Sequence, residues 1–175
     1  VGQFYKGDKH GRGEYRWCDG SFYNGRWDRD KRCGDNEELT IAPLAGAALR
    51  DHFIYSFYSR FPRVADLLET LLGSELQYRG GFLDDAVHGN GEMIFTCGAN
   101  FEGSFEQGME HGHCTLHIAN GVRIEGEWFE GEVQTLVRVF CDSVFPREGK
   151  AASMMVDADV KDVIAVVYSI RGMAP

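Results

Sequence analysis

Cys33 follows His10 by 23 residues, and His111 follows His88 by the same step, so one column of the sequence offers imidazole and thiol side chains. Such groups are zinc ligands. Geometry argues against a metal here: equivalent positions on successive hairpins of a sheet lie ~10 Å apart, whereas zinc ligands converge to ~2 Å from one ion. Only a symmetric dimer could bring two columns together. The histidines therefore read as turn residues hydrogen-bonded to backbone, and no metal is expected. Carboxylates are the second chemical candidate, as Asp84, Asp85, Glu102, Glu106, Glu110, Glu125, Glu127 and Glu130 could in pairs do acid–base work. They recur at positions that should face solvent, so they read as a solvated face. The sequence has no Gly-rich phosphate loop, GxSxG elbow or HExxH pair, and Gly11-Arg12-Gly13 and Gly89-Asn90-Gly91 read as turn glycines. No catalytic residue, no cofactor and no enzymatic activity are expected.

The elements that carry these side chains are set by a repeat. Gly80, Gly103 and Gly126 are spaced by 23, as are Phe82, Phe105 and Trp128, and His88-Gly89 returns as His111-Gly112. A fixed period in several residue types marks one structural unit copied along the chain. Within a unit, Glu14-Tyr15-Arg16-Trp17 alternates polar and aromatic, as a half-buried strand does. Asp19-Gly20 predicts a two-residue turn with positive φ at both positions, and Tyr23, Gly25 and Trp27 share a face of the returning strand. Met93 and Phe95, Cys97-Gly98, then Phe101, Gly103 and Phe105 follow the same order. Leu116 and Ile118, Asn120-Gly121, then Ile124, Gly126 and Trp128 follow it again. A mid-strand glycine admits a close neighbour. The prediction is a mainly β fold with helical additions: antiparallel hairpins stacked as a twisted ribbon with one apolar side.

These residues resemble the MORN repeat (membrane occupation and recognition nexus), whose pattern is Y-x-G-x-W-x-x-G-x-x-H-G-x-G followed by an aromatic strand and an Asp-Gly or Asn-Gly turn. The matching positions are Phe4, Gly7, His10, Gly11 and Gly13, then Tyr78, Gly80, Phe82, His88, Gly89 and Gly91. Phe101, Gly103, Phe105, Gly108, His111 and Gly112 make a third copy, and Ile124, Gly126, Trp128 and Gly131 a last one without its His-Gly. The departures are Asp30 and Asp85 where glycine is usual, Cys33 for His and Cys114 for Gly, each expected to weaken one junction. The resemblance implies a non-enzymatic scaffold that holds partner helices or builds cytoskeletal, ciliary or membrane-junction structures.

The repeat is interrupted once. After Cys33-Gly34 the next second-strand Tyr is due at 46 but arrives at Tyr78, 32 residues late (78 − 46). Leu49, Phe53 and Phe57 recur at helical spacing, with Ile54, Tyr58 and Phe61 beside them. Pro62 ends that helix and opens a second, with Val64, Leu67, Leu68, Leu71 and Leu72 as its stripe and Gly73 as its stop. With Glu37–Ile41 as a strand, a helical pair at 44–61 and 63–73 sits at the tip of the second hairpin. Beyond Gly131, Val133–Cys141 reads as one more strand on the last hairpin, and Asp142–Ser153 as loop. Asp159 to Gly172 reads as a capped helix, its β-branched content leaving a strand open. The chain thus divides into N-terminal repeats at 1–36, an interrupted repeat at 37–76, further repeats at 77–131 and a strand–loop–helix extension at 132–175.

Gly2 and Phe4 precede Gly25 and Trp27 by 23, so the chain begins inside a repeat and further repeats are expected before it. Five cysteines without a CxxC pair point to a reducing, intracellular and cytoplasmic setting, on the resemblance a cytoskeletal or ciliary one. A net charge of −9 excludes nucleic acid as a main partner and disfavours an anionic bilayer. No apolar run approaches the ~20 residues of a membrane span. First-strand aromatics such as Tyr15 and Trp17 are expected to pack hairpin on hairpin. The second-strand row, Tyr23, Trp27, Phe82, Phe101, Phe105 and Trp128, is the candidate partner-binding ring of a glycine-floored groove. Its occupant is a helix or extended segment of another protein, or the inserted or C-terminal helix of the same chain; a homo-oligomer is a separate candidate assembly. A phosphoinositide-binding module, or a MORN appendage of a larger enzyme, is the alternative.

Overall fold

The alternating residues of each copy do form strands. A computed structural model describes residues 1–58, 60–72, 76–118, 122–141 and 153–155. Its strands are β1 (Gly2–Tyr5), β2 (Asp8–Arg16), β3 (Phe22–Asp28), β4 (Lys31–Ile41), β5 (Leu76–Leu83) and β6 (Ala86–Phe95). They continue as β7 (Asn100–Glu106), β8 (Met109–Ile118), β9 (Val122–Phe129), β10 (Glu132–Cys141) and β11 (Ser153–Met155). All eleven lie in one sheet in the order of the chain, each antiparallel to the last. The sheet is an open meander of β-hairpins with two helices added. β10 pairs with β9 as expected. β11 is an addition to the expected elements: it begins where the 142–153 loop should end, and pairs Arg138 with Met155. The remainder of that loop and the 159–172 helix lie outside the described residues.

Two kinds of turn join the strands. Along one edge, Lys6-Gly7, Arg29-Asp30, Asp84-Asp85, Gln107-Gly108 and Glu130-Gly131 all have positive φ at both residues, the signature of a two-residue turn matched to strand twist. Along the other edge the links are longer. Trp17 N–H donates to Ser21 at 2.8 Å and Gly20 N–H to Trp17 at 3.1 Å, and Phe95, Ala99 and Gly98 repeat those bonds at 2.9 Å. Only the glycine there has positive φ, 96° at Gly20 and 85° at Gly98. The two-residue turn predicted at Asp19-Gly20 is therefore a three-residue loop. Asp19 folds its carboxylate onto Ser21 N–H at 2.8 Å instead of taking a left-handed backbone. Asn120-Gly121 lies outside the described residues.

At the interrupted hairpin, Glu37–Ile41 of β4 pairs with Leu76–Gly80 of β5, and the insertion leaves from that edge. It holds α1 (Pro43–Tyr58) and α2 (Pro62–Leu71). α1 ends earlier than its apolar stripe predicts because Phe61 precedes a proline and sits at φ −132°, ψ 59°, outside the helical region. Rather than extending from the tip, the helices fold back over the apolar face of the sheet. Phe53 meets Phe101 at 5.0 Å between ring centroids, and Phe57 meets Trp128 at 6.0 Å. Val64, Ala65 and Leu68 of α2 are fully buried in the same core.

Candidate interaction site

The six second-strand aromatics come together as expected from their common phase, but in the core. None exposes more than 6 % of its surface, and Tyr23 and Phe101 expose none. With Tyr78 they make one edge-to-face row: Trp27–Tyr23 at 5.0 Å, Tyr23–Phe82 at 5.4 Å, Phe82–Tyr78 at 5.2 Å and Tyr78–Phe105 at 5.5 Å. Phe105–Phe101 at 6.2 Å and Phe101–Trp128 at 5.2 Å complete it. Edge-to-face pairs set the positive rim of one ring against the negative face of the next, for about 0.5–1.5 kcal/mol per pair beyond burial.

The groove expected above this row is occupied, which corrects the picture of an open glycine floor. A Cβ on Gly25 would fall inside the Tyr23 phenol, and one on Gly80 or Gly91 would strike the phenol of Tyr78. Trp128 lies over Gly126 in the same way, and the Cys114 side chain fills the space above Gly103. The glycines admit rings of the chain itself. Tyr23 and Tyr78 then reach past them to donate to the carbonyls of Arg26 at 2.9 Å and Gly81 at 3.0 Å. Burial pushes both hydroxyls well above the usual phenol range, with Glu37 adding to the rise at Tyr23. Above the row, Phe53 and Phe57 of α1 close the face.

One end of the face remains open. Phe4 pairs with Lys9, placing both on the apolar side of β1 and β2, and Phe4 is 67 % exposed. Tyr15 is also exposed and Trp17 is half-buried, their rings 4.9 Å apart. Lys9 spans Tyr15 and Trp27, its ammonium 4.7 and 4.6 Å from the two centroids. The expectation that first-strand aromatics only pack hairpins together fails here, because the helices do not reach this end.

The charged residues depart from expectation in three ways. His10 and His111 face carboxylates rather than turn backbone, at 3.3 Å from Asp28 and 3.7 Å from Glu106. Among the described residues no three His, Cys, Asp or Glu side chains gather as a metal site. Asp30 and Asp85 do not weaken their junctions. At φ 67° and 73° their N–H groups donate to the carbonyls of Lys9 and Arg32, as Gly108 and Gly131 do to Val87 and Glu110. Their carboxylates add a bond that glycine cannot make, to Lys9 N–H at 2.9 Å and Arg32 N–H at 2.8 Å. Aspartate tolerates the left-handed region, so the substitution costs little. Finally, Glu110, read as solvated, is buried, and Glu37 of β4 is buried as well. Burial raises the Glu110 carboxyl to about 7, and Glu37 Oε2 has no hydrogen-bond partner among the described residues. Hydrophobic alternation could not reveal either, since both stand in acid-rich stretches.

A single-layer array of antiparallel hairpins with a ring row on one face is a β-hairpin repeat protein. The family model described as MORN repeat matches residues 1–22, 78–96 and 101–123, so the chain carries MORN repeats in those three segments. The helical insertion lies outside the matched segments. A search of curated protein sequences gave no match. MORN repeats generally mediate protein or membrane interaction, and the family is typically non-catalytic. No helix among the described residues is long and apolar enough to cross a membrane.

Proposed function

We propose that this chain is a non-enzymatic protein–protein interaction scaffold that takes a partner helix or extended segment on its aromatic face, as a cytoplasmic subunit of a cytoskeletal or ciliary assembly. The observation that carries the reading is the division of that face. Over most of the sheet it is filled by α1, with Phe53 and Phe57 set on Phe101 and Trp128. Over β1 and β2 its aromatics Phe4 and Tyr15 are exposed. The chain's own helix defines what the face accepts: an apolar segment with aromatics at i and i+4. A partner segment of that kind would bury Phe4, Tyr15 and Trp17 beside Lys9, which favours an acidic residue flanking its stripe.

The test compares this chain with a Phe4→Ala, Tyr15→Ala, Trp17→Ala variant whose circular dichroism is unchanged. Both are used to capture proteins from lysate of the parent organism, and each captured protein is then titrated in purified form. Loss of at least about tenfold in affinity on substitution, roughly 1.4 kcal/mol, supports the site. Equal affinity for both chains removes it, and a preference of both for phosphoinositide vesicles over any protein would replace the scaffold reading with a membrane one.

A further inference from the structure

We propose that the cleft between the last two tight turns binds an arginine side chain of a basic partner protein. The cleft encloses about 240 Å³ on the sheet face opposite the ring row. Glu106, Gln107, Met109 and His111 line it from the β7–β8 hairpin, and Phe129 and Glu130 from the end of β9 and its turn. Its apolar parts are open to water: Phe129 is 53 % exposed and Met109 37 %. The His111 ring stands 5.3 Å from that of Phe129, and its Nδ1 lies 3.7 Å from Glu106 Oε2. A phenyl ring, an imidazole and two carboxylates thus border one cleft, and among the described residues no lysine or arginine lines it.

The other hairpins of the chain define the occupant. At the first pair of turns His10 likewise stands between a ring and a carboxylate, 5.8 Å from the Tyr5 ring and 3.3 Å from Asp28. There the chain brings its own cations. Lys6 lies over Tyr5 at 5.3 Å, and Arg29 reaches Asp28 at 3.2 Å. At the next pair Lys31 bridges to Asp84 at 3.0 Å. At the last pair every one of these cations is replaced: Lys6 by Gln107, Arg29 by Glu130 and Lys31 by Met109, each at the same place in its hairpin. The ring and the carboxylate are retained in exchanged positions, Phe129 for Asp28 and Glu106 for Tyr5, and Glu130 adds a second carboxylate. The surroundings of a cation are kept here while the chain's own cations are not, so the cation comes from a partner.

Arginine suits the cleft better than lysine or a metal ion. Its planar guanidinium stacks on a ring such as Phe129 while its N–H edges reach Glu106 and Glu130, whereas an ammonium is a compact point charge that does not stack. A metal ion has no ligand set here, since among the described residues no three His, Cys, Asp or Glu side chains gather as one. The net charge of −9 draws a basic partner toward this chain, and Phe129 and Met109 supply apolar contact for the arginine stem.

The test is an NMR titration of the whole, isotope-labelled chain with the peptide acetyl-Gly-Ser-Arg-Ser-Gly-amide. Saturable shifts of backbone amides are expected at residues 106–111 and 128–131. The same peptide with citrulline for arginine, similar in shape but uncharged, should leave them in place. Glu106→Gln with Glu130→Gln should weaken binding at least about fivefold, and Phe129→Leu at least about twofold. All three positions are exposed, and Gln107 already holds the backbone angle of Glu130, φ 51° against 50°, so these chains should fold. Glu14→Gln with Glu38→Gln removes as much charge elsewhere and should change affinity less than about twofold, because salt screens distant charges. A chain without saturable shifts overturns the proposal, as does equal binding of the citrulline peptide. Equal losses in the two double variants also overturn it, since they mark general attraction to an acidic chain. Unchanged affinity in Phe129→Leu overturns the stacked arrangement. The cleft lies on the opposite face from Phe4 and Tyr15, so none of these outcomes bears on that open end.

Discussion

Replacing Glu110 by glutamine should make the protein more stable at pH 8 and leave little gain at pH 5. Glu110 occupies the same place in its hairpin as Lys9, Arg32 and Val87 do in theirs, beside the residue that ends the neighbouring turn. For Lys9 and Arg32 that residue is an aspartate, which bridges to them at 3.6 and 3.1 Å. For Glu110 it is Gly131, which supplies no charge, and the carboxyl stands 8 % exposed with its pKa raised by burial from 4.5 to about 7. The sign follows from proton linkage. Between pH 4.5 and 7 the folded chain holds a proton at this site that the unfolded chain has lost, so stability falls as pH rises through that window and stays low above it. Every tenfold gain in proton affinity on folding corresponds to about 1.36 kcal/mol, so the full penalty is about 3 kcal/mol, of which about 2–3 kcal/mol accrues between pH 5 and 8. Glutamine cannot ionise, and its own burial cost does not vary with pH. Urea unfolding of both chains at pH 5, 6, 7 and 8 gives the difference in stability, from which titrations common to the two cancel. That difference should grow by about 2–3 kcal/mol in favour of Glu110→Gln across the range. A difference that is flat with pH would show that Glu110 is hydrated in the folded state and would refute the reasoning.

The remaining predictions concern packing and turns. Phe57→Ala removes a fully buried ring from between α1 and Trp128 and should cost about 3–5 kcal/mol in urea unfolding, with Trp fluorescence of the folded chain moving to the red as water reaches the indole. Gly25→Ala drives a methyl into the Tyr23 phenol and the Glu37 carboxylate and should cost about 1–3 kcal/mol or more, measured as a lower thermal midpoint. A destabilised chain from Gly20→Ala but not from Gly25→Ala would mean that the ring does not lie on the glycine. Asp85→Ala should cost more than Asp85→Gly, since both lose the bond to Arg32 N–H but only alanine is strained at φ 73°. Equal losses, read by hydrogen exchange at Arg32, would count against the turn assignment.

Much of this molecule was legible in its sequence because its information is local. The 23-residue period, the polar–aromatic alternation and the glycines specify hairpins, since each hairpin is closed by residues within about one repeat of one another. Phe53 and Phe57 announced a helix with a side to bury, and Pro62 divided it from the next. What local pattern does not carry is the identity of the surface on the other side of a contact. Leu49, Phe53, Tyr55 and Phe57 are all apolar, yet two of them meet the sheet and two face solvent, because the return path of the insertion over β5 to β10 decides which side is covered. The same holds for Tyr23 and Trp128: their phase placed them on one face, but only the folded helices make that face a core rather than a groove. Glu110 read as a solvated acid, and Asp85 read as a flaw. The burial of Glu110 and the bonding of Asp85 come from beyond their own hairpins: Phe105 on β7 and Gly131 in the turn before β10 for the first, Arg32 on β4 for the second. A repeat dictates its own hairpin; the close-packed contacts between distant segments exist only once the chain has folded.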